Sequence, residues 1–526
     1  MHMKIILQFT LILFILVLQS VNGQDIGDFI SITPTTQTSG FVLPSSHDFQ
    51  SIIKVGDVLT AGGNMLTKPD FTGYVPIAGS SINGYLSVNS EDAPPPFGGG
   101  GGVTILDIYF NTTSKLWEKT ASQTIDFSSV GGTAANCSGT VTTWGTVISC
   151  EEASIPDTFP PFDGYNDLGW NVEINPATKT VVGKHYAMGN FAHENVAIHI
   201  NERTVYQGAD SNPGYLYKFV ADTAQDLSSG KLYVFKGLKN GVGSWMLLAN
   251  SNQAERNSTL TQSGASGLDA TIFNGIEDVE IGPDGMIYFA VKGEGRVYRF
   301  SDSDILETSA STVIMETYVG GMSYDIDDGT SITSTPWGNG NDNLAFDGEG
   351  NLWVLQDGGN GYMWVVKNGH TQASPDVELF GSTPMGSEPT GITFTPDYKF
   401  LFMSIQHPNN TNNGNQMDAA GNSVNFNTGT TLVVALKENI GSALAVKDKN
   451  RNQSFSIFPN PLKSSRQLTI KGSQIITIKL YSVLGKMLLD NTYNGPNEVE
   501  LNLKNLNSGI YVLKINESIK SKLIIE

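Results

Sequence analysis

The sequence predicts an all-β chain, a β-propeller followed by a small C-terminal β-sandwich. Three observations carry that expectation. Short apolar runs alternate with stretches of Gly, Asn, Asp, Ser and Thr, and 57 of the 526 residues are glycine, the texture of many strands joined by turns. A strand–turn–strand unit recurs through the middle of the chain. Long stretches with helical hydrophobic periodicity are absent.

In chain order, Lys4 precedes an apolar run from Ile5 to Leu18, followed by Gln19-Ser20 and then Val21-Asn22-Gly23 ahead of Gln24. This layout predicts a cleaved signal peptide over 1–23. The run is shorter than the ~20 apolar residues that a spanning helix needs, and no later segment is long and apolar enough, so the mature chain is expected to lack a transmembrane segment. Residues 24–100 are strand-like pieces ending in Pro94-Pro95-Pro96-Phe97 and Gly98 to Gly102. That glycine run lacks the lysine and helix start of a phosphate-binding P-loop and is expected to be a plain loop.

The repeated unit is clearest in Glu277 to Ala290, Asn343 to Leu355 and Gly391 to Met403, with a looser copy from Asn195 to Tyr206. Each holds an alternating strand, a turn built on Asp, Gly or Asn, and a second apolar strand. A spacing of roughly 50–80 residues fits propeller blades with inserted loops, whereas a β-helix repeats over a much shorter length. The propeller is expected to occupy 24–446. A polar linker follows at 447–454, and residues 455–526 carry alternating strands that predict the sandwich.

The formal charge of −20 argues against nucleic acid, whose phosphates would be repelled, and suits a protein that binds cations or one that only needs solubility. Acidic residues recur at the expected starts of strands: Glu151-Glu152, His193-Glu194, Asp210, Glu277-Asp278, Asp342, Asp357 and Glu388. If the propeller brings them to one channel mouth, their mutual repulsion requires protons or bound cations, and oxygen donors favour hard ions. The chain has two cysteines, Cys137 and Cys150. In an exported protein their spacing favours a disulfide, with a metal-bound thiolate as the alternative.

Several local words occur in a telling order: Asn136-Cys137-Ser138-Gly139, Thr143-Trp144-Gly145-Thr146, Ser149-Cys150-Glu151-Glu152, Phe191-Ala192-His193-Glu194-Asn195, Gly386-Ser387-Glu388-Pro389 and Gln406-His407-Pro408. From about residue 50 to 440 the chain resembles the PhoX family of alkaline phosphatases. The resemblance implies a six-bladed propeller with calcium (Ca2+) and ferric (Fe3+) ions at the channel mouth. It implies metal-assisted hydrolysis of small phosphate monoesters, with no serine nucleophile. Cys137 would then be a metal ligand instead of half a disulfide. With it stand Glu152, Glu194 and Glu277, and more loosely Glu151, Asp210, Asp342, Asp357 and Glu388. Cys137, Glu194 and Glu277 are the expected catalytic centre, and His407 is a candidate for substrate positioning.

Two departures from the family pattern stand out. Family members usually carry an arginine just before the Glu277 word, and here Phe273-Asn274-Gly275-Ile276 offers no base; Ala209-Asp210 stands where the pattern often reads Glu-Asp. They keep open a calcium-stabilised propeller used for binding or adhesion, and a propeller hydrolase acting on phytate or a lactone. Residues 455–526 closely resemble the C-terminal sorting domain of the type IX secretion system, through Phe458-Pro459-Asn460-Pro461, Tyr481 to Gly485 and Gly509-Ile510-Tyr511. That implies a bacterial protein handed to the type IX machinery and released or displayed at the cell surface.

Overall fold

The computed structural model describes residues 26–93, 101–306, 311–441, 456–463, 466–472, 475–482, 486–516 and 519–526. The expected signal peptide and linker, and most of the glycine run, lie outside the described residues. The chain divides into two compact units, 1–442 and 443–526.

The first unit is built from antiparallel sheets whose innermost strands follow one another around a channel. These are β1 (Pro69–Pro76), β2 (Asn136–Val141), β3 (His193–Ile198), β4 (Ile276–Ile281), β5 (Asn341–Phe346) and β6 (Glu388–Phe394). Each packs on the next, and β6 returns to β1. Four of them head separate four-stranded sheets, while β3 and β4 belong to a nine-stranded sheet in which Gly241–Leu247 bridges two outer strands. The ring is closed by the N-terminal strand His47–Lys54, which pairs with Thr430–Leu436 at the outer edge of the β6 sheet. The repeated words of the sequence fall on the hairpins between β3, β4, β5 or β6 and the strand that follows each.

Strands such as Leu352–Gln356 and Tyr362–Val366 are buried at every position. A sheet covered on both faces by its neighbours reads as a continuous apolar run, not as an alternation. Between sheets the filling is aromatic. Trp245, Phe273, Phe289, Tyr298 and Phe300 form one such core, and each fully buried large side chain contributes about 1.5–3 kcal/mol. Among the described residues no helix is long and apolar enough to cross a membrane.

The second unit pairs a three-stranded sheet with a four-stranded one. Leu468, Ile470 and Leu501 of the first meet Ile478, Leu480, Leu513 and Leu523 of the second in one core, which makes a small β-sandwich.

Candidate metal centre

Five inner strands carry the same irregularity at the same place. In β1 to β5 the first residue pairs normally with the second strand, the next two oppose a single partner residue, and the ladder resumes one step out of register. A β-bulge of this kind kinks the strand and re-aims a side chain. The first bulged residues are Asp70, Cys137, Glu194, Glu277 and Asp342. In β6 the bulge comes later, between Thr390 and Thr393, and Glu388 opens the strand ahead of it. A second ring follows from antiparallel pairing, because each second strand runs back to the same mouth. The residue just past its end is in turn Glu91, Glu152, Asp210, Lys292, Asp357 and His407.

All of these positions except Asp210 line one cleft of about 200 Å³, together with Lys68 and Gln406. Donor atoms of Cys137, Glu152 and Glu194 lie within 4.8 Å of one another, as do those of Glu194, Glu277 and Asp342. Glu194 is therefore common to two adjoining groups. Around them, Gln406 Nε2 donates to Asp70 (3.1 Å) and to Glu91 (3.0 Å), and Thr390 donates to Asp70. Lys292 Nζ sits 2.7 Å from Glu277 and 3.9 Å from Asp210. His407 Nε2 is 3.2 Å from Glu388.

Such a cluster is hard to hold as anions. Burial, then the carboxylates of Glu277, Glu152 and Asp342, raise Glu194 well above the usual carboxylate range. Burial and Glu277 do the same for Asp342, and burial and Asp357 for Glu388. Burial first, then Asp210, push Glu277 up to about 8 despite Lys292. Asp70, buried beside Glu91, is pushed up to about 7. Burial and the carboxylates of Glu194 and Glu152 likewise raise the Cys137 thiol. Asp342 Oδ1 is buried without a hydrogen-bond partner. Orphaned, mutually repelling oxygen donors with one sulfur are what a group of bound cations would satisfy.

Several expectations from the sequence need correction. Cys137 and Cys150 are both free thiols, so the disulfide suggested by their spacing is absent. Cys150 is the residue opposite the Cys137 bulge, but the two side chains diverge. Cys137 Sγ faces the β3 backbone at His193 O (3.1 Å), and Cys150 Sγ faces Asn171 Oδ1 (3.1 Å) in its own sheet. Glu151 does not reach the cleft. Its side chain is fully buried on the other side of the strand, 3.0 Å from Lys184 Nζ, and accepts from Thr133 Oγ1 and from the Gly169 and Trp170 amides. Asp210 stands behind the lining, bonded to Glu152 and close to Lys292. Sequence reasoning missed Asp70, Glu91, Lys292, Lys68 and Gln406. The signal that finds four of them is positional: the first bulged residue of each inner strand, and the last residue of each second strand or the one just past it.

Comparison with known proteins agrees with this architecture. The solved structure of Pseudomonas fluorescens PhoX in complex with vanadate, a transition state analogue, is 21% identical, covers 79% of this chain and 99% of that chain, and superposes with a TM-score of 0.62. The periplasmic gluconolactonase PpgL of Pseudomonas aeruginosa is more remote, at 10% identity over 87% of this chain and 99% of that one, with a TM-score of 0.37. No curated protein sequence matches the chain. Residues 456–526 match the secretion system C-terminal sorting domain, which marks a secreted or surface-displayed protein. Residues 113–409, more than half of the chain, match the profile described as alkaline phosphatase PhoX. A propeller with donor side chains gathered at one mouth therefore has its place among known proteins: the chain belongs to the PhoX alkaline phosphatase family.

Proposed function

We propose that the protein hydrolyses phosphomonoesters outside the cell, using calcium and ferric ions held at the channel mouth of a six-bladed propeller. The observation that carries this reading is the pair of adjoining donor groups that share Glu194. A thiol and carboxylates within 4.8 Å of one another, one of them with an orphaned buried oxygen, suit hard cations with a single softer contact. Cys137, Glu152, Glu194, Glu277 and Asp342 would hold the ions, with Asp357 and Glu388 lining the same cleft. When bound, the ions would offset the charge of the phosphoryl oxygens and supply the attacking oxygen.

The chain's own residues do the rest. The bulges fix the direction of Cys137, Glu194, Glu277 and Asp342 before any ion arrives, so little reorganisation is needed on binding. Gln406 keeps Asp70 and Glu91 together by donating to both. His407, half-exposed and paired with Glu388, lines the same cleft and would help to position the substrate. The vanadate bound to the Pseudomonas fluorescens protein supports a phosphoryl-transfer chemistry here as well.

The test is turnover of an aryl phosphate by the purified protein, with elemental analysis of the same sample. Calcium-dependent turnover and bound iron are expected, and Glu194→Gln should lower turnover by at least about 100-fold while the protein stays folded. Wild-type protein that holds neither metal and turns over nothing would refute the proposal.

A further inference from the structure

The residues just past the second strands are acids after the hairpins of β1, β2, β3 and β5 and His407 after that of β6; only after the hairpin of β4 is there an ammonium, Lys292. Its backbone is fixed from both sides. The amide donates to Gly275 O (2.9 Å), and the carbonyl accepts from Gly340 N (3.1 Å) at the start of the next sheet. The side chain is 37% exposed and leans on Glu277, whose own side chain is 2% exposed. Lys68, the other lysine at the cleft, is an exposed residue at φ 46° on the turn before β1. No basic residue stands in 271–276 ahead of Glu277. A Cβ at Gly275 would come within 2.7 Å of Asp210 Oδ1 and lie 3.8 Å from Lys292 Cβ. The space beside Glu277 is thus reached from the 292 side.

This placement has a chemical consequence. A carboxylate that ligates a cation no longer needs the ammonium, so loading Glu277 with metal leaves Lys292 Nζ facing the cleft. The group that arrives there is the phosphoryl end of the ester. A monoester carries two negative charges and a diester one, so a fixed ammonium discriminates between them. We propose that Lys292 anchors the substrate phosphoryl group and makes this site favour dianionic phosphomonoesters over monoanionic diesters. The proposal rests on the phosphatase reading above.

The test compares metal-loaded full-length protein with Lys292→Met and Lys292→Arg. The readouts are kcat and KM on p-nitrophenyl phosphate and bis(p-nitrophenyl) phosphate, binding of inorganic phosphate by calorimetry, and calcium and iron content. Lys292→Met is expected to keep its metals and to lose about 10- to 100-fold in kcat/KM on the monoester, mainly through KM. Its phosphate affinity should fall by a similar factor, the diester rate should fall by less than about 3-fold, and Lys292→Arg should recover most of the loss. Loss of metal would assign Lys292 to holding Glu277 and overturn the proposal. So would equal losses on both esters, or unchanged phosphate binding. If loaded wild-type protein turns over neither ester, the phosphatase reading fails; phosphate binding then decides Lys292 alone, supporting it if weakened in Lys292→Met and overturning it if unchanged.

Discussion

The Glu151 carboxylate is enclosed. Lys184 Nζ, the Thr133 hydroxyl and two backbone amides take up its oxygens, and neither charged side chain is more than 2% exposed. One residue later, Glu152 enters the cleft, where burial and the nearby Glu91 raise its carboxyl well above the ordinary range. Successive strand residues point to opposite sides, so two identical side chains meet opposite conditions: one is paired within the fold, the other faces the carboxylates of the cleft. Glu151→Ala removes one member of a buried pair and leaves Lys184 charged and unpaired, a change worth about 3–5 kcal/mol. The expected result is a large drop in melting temperature with metal content per folded molecule unchanged. Loss of metal at unchanged stability would place Glu151 among the ligands after all. The family resemblance ranked Glu152 above Glu151, but the residue pattern alone could not separate them, because adjacency in the chain carries no information about which face each takes until the register is known.

At the level of elements, the site is made by the bulge and by the return of the second strand. Gly340 shows how tightly these are joined. It precedes β5 at φ 88°, accepts from Asp357 N (2.8 Å) and donates to Lys292 O (3.1 Å), which ties two neighbouring second-ring positions to one inner strand. A Cβ there would lie 1.9 Å from Asp357 O. Gly340→Ala therefore combines a left-handed backbone with a backbone collision, and is expected to destabilise by about 2–4 kcal/mol and to lower turnover. A thermal melt and an activity assay on the same sample check both, and an unchanged melt would show that the loop can move aside. The same geometry explains what was legible in the sequence. The hairpins starting at β3, β4, β5 and β6 announce themselves by alternation and turn residues; the acidic first bulged residues of β3, β4 and β5 came with them, as did Glu388 at the start of β6. Asp70 lies in Pro69-Asp70-Phe71, which has no acidic companion to draw notice, and β1 belongs to none of the clear repeats. Glu91 and Lys292 lie where a strand ends, and strand ends carry no fixed residue type. Their roles become visible only when all the sheets are superposed as one repeating unit.

For the whole molecule, the cleft is a site of mutual carboxylate repulsion, and the proposed cations would relieve it in a pH-dependent way. In metal-free protein Glu277 is pushed up to about 8 and Asp70 to about 7, from ordinary values of 4.5 and 3.8. Glu194, Asp342 and Glu388 move in the same direction. The folded state therefore keeps protons that the unfolded chain has already released. Stability from these groups is fully present below their unfolded values and is lost as pH rises through the folded ones. Glu173, held below its usual value by His185, Thr146 and Trp144 although burial alone would raise it, has the opposite sign. Its contribution is lost only as pH falls through its depressed value, outside the window of interest. Chelated protein should accordingly melt at a lower temperature at about pH 8.5 than at about pH 5.5. Protein loaded with calcium and iron should not follow it, because bound cations hold the carboxylates in the anionic form and binding to the folded state adds stability. The difference between the loaded and chelated melting temperatures is expected to widen steadily across that range. A difference independent of pH would mean that the cations bind away from the carboxylates at the channel mouth. A chelated protein that gained stability with rising pH would mean that the cluster is not the dominant buried charge of the propeller.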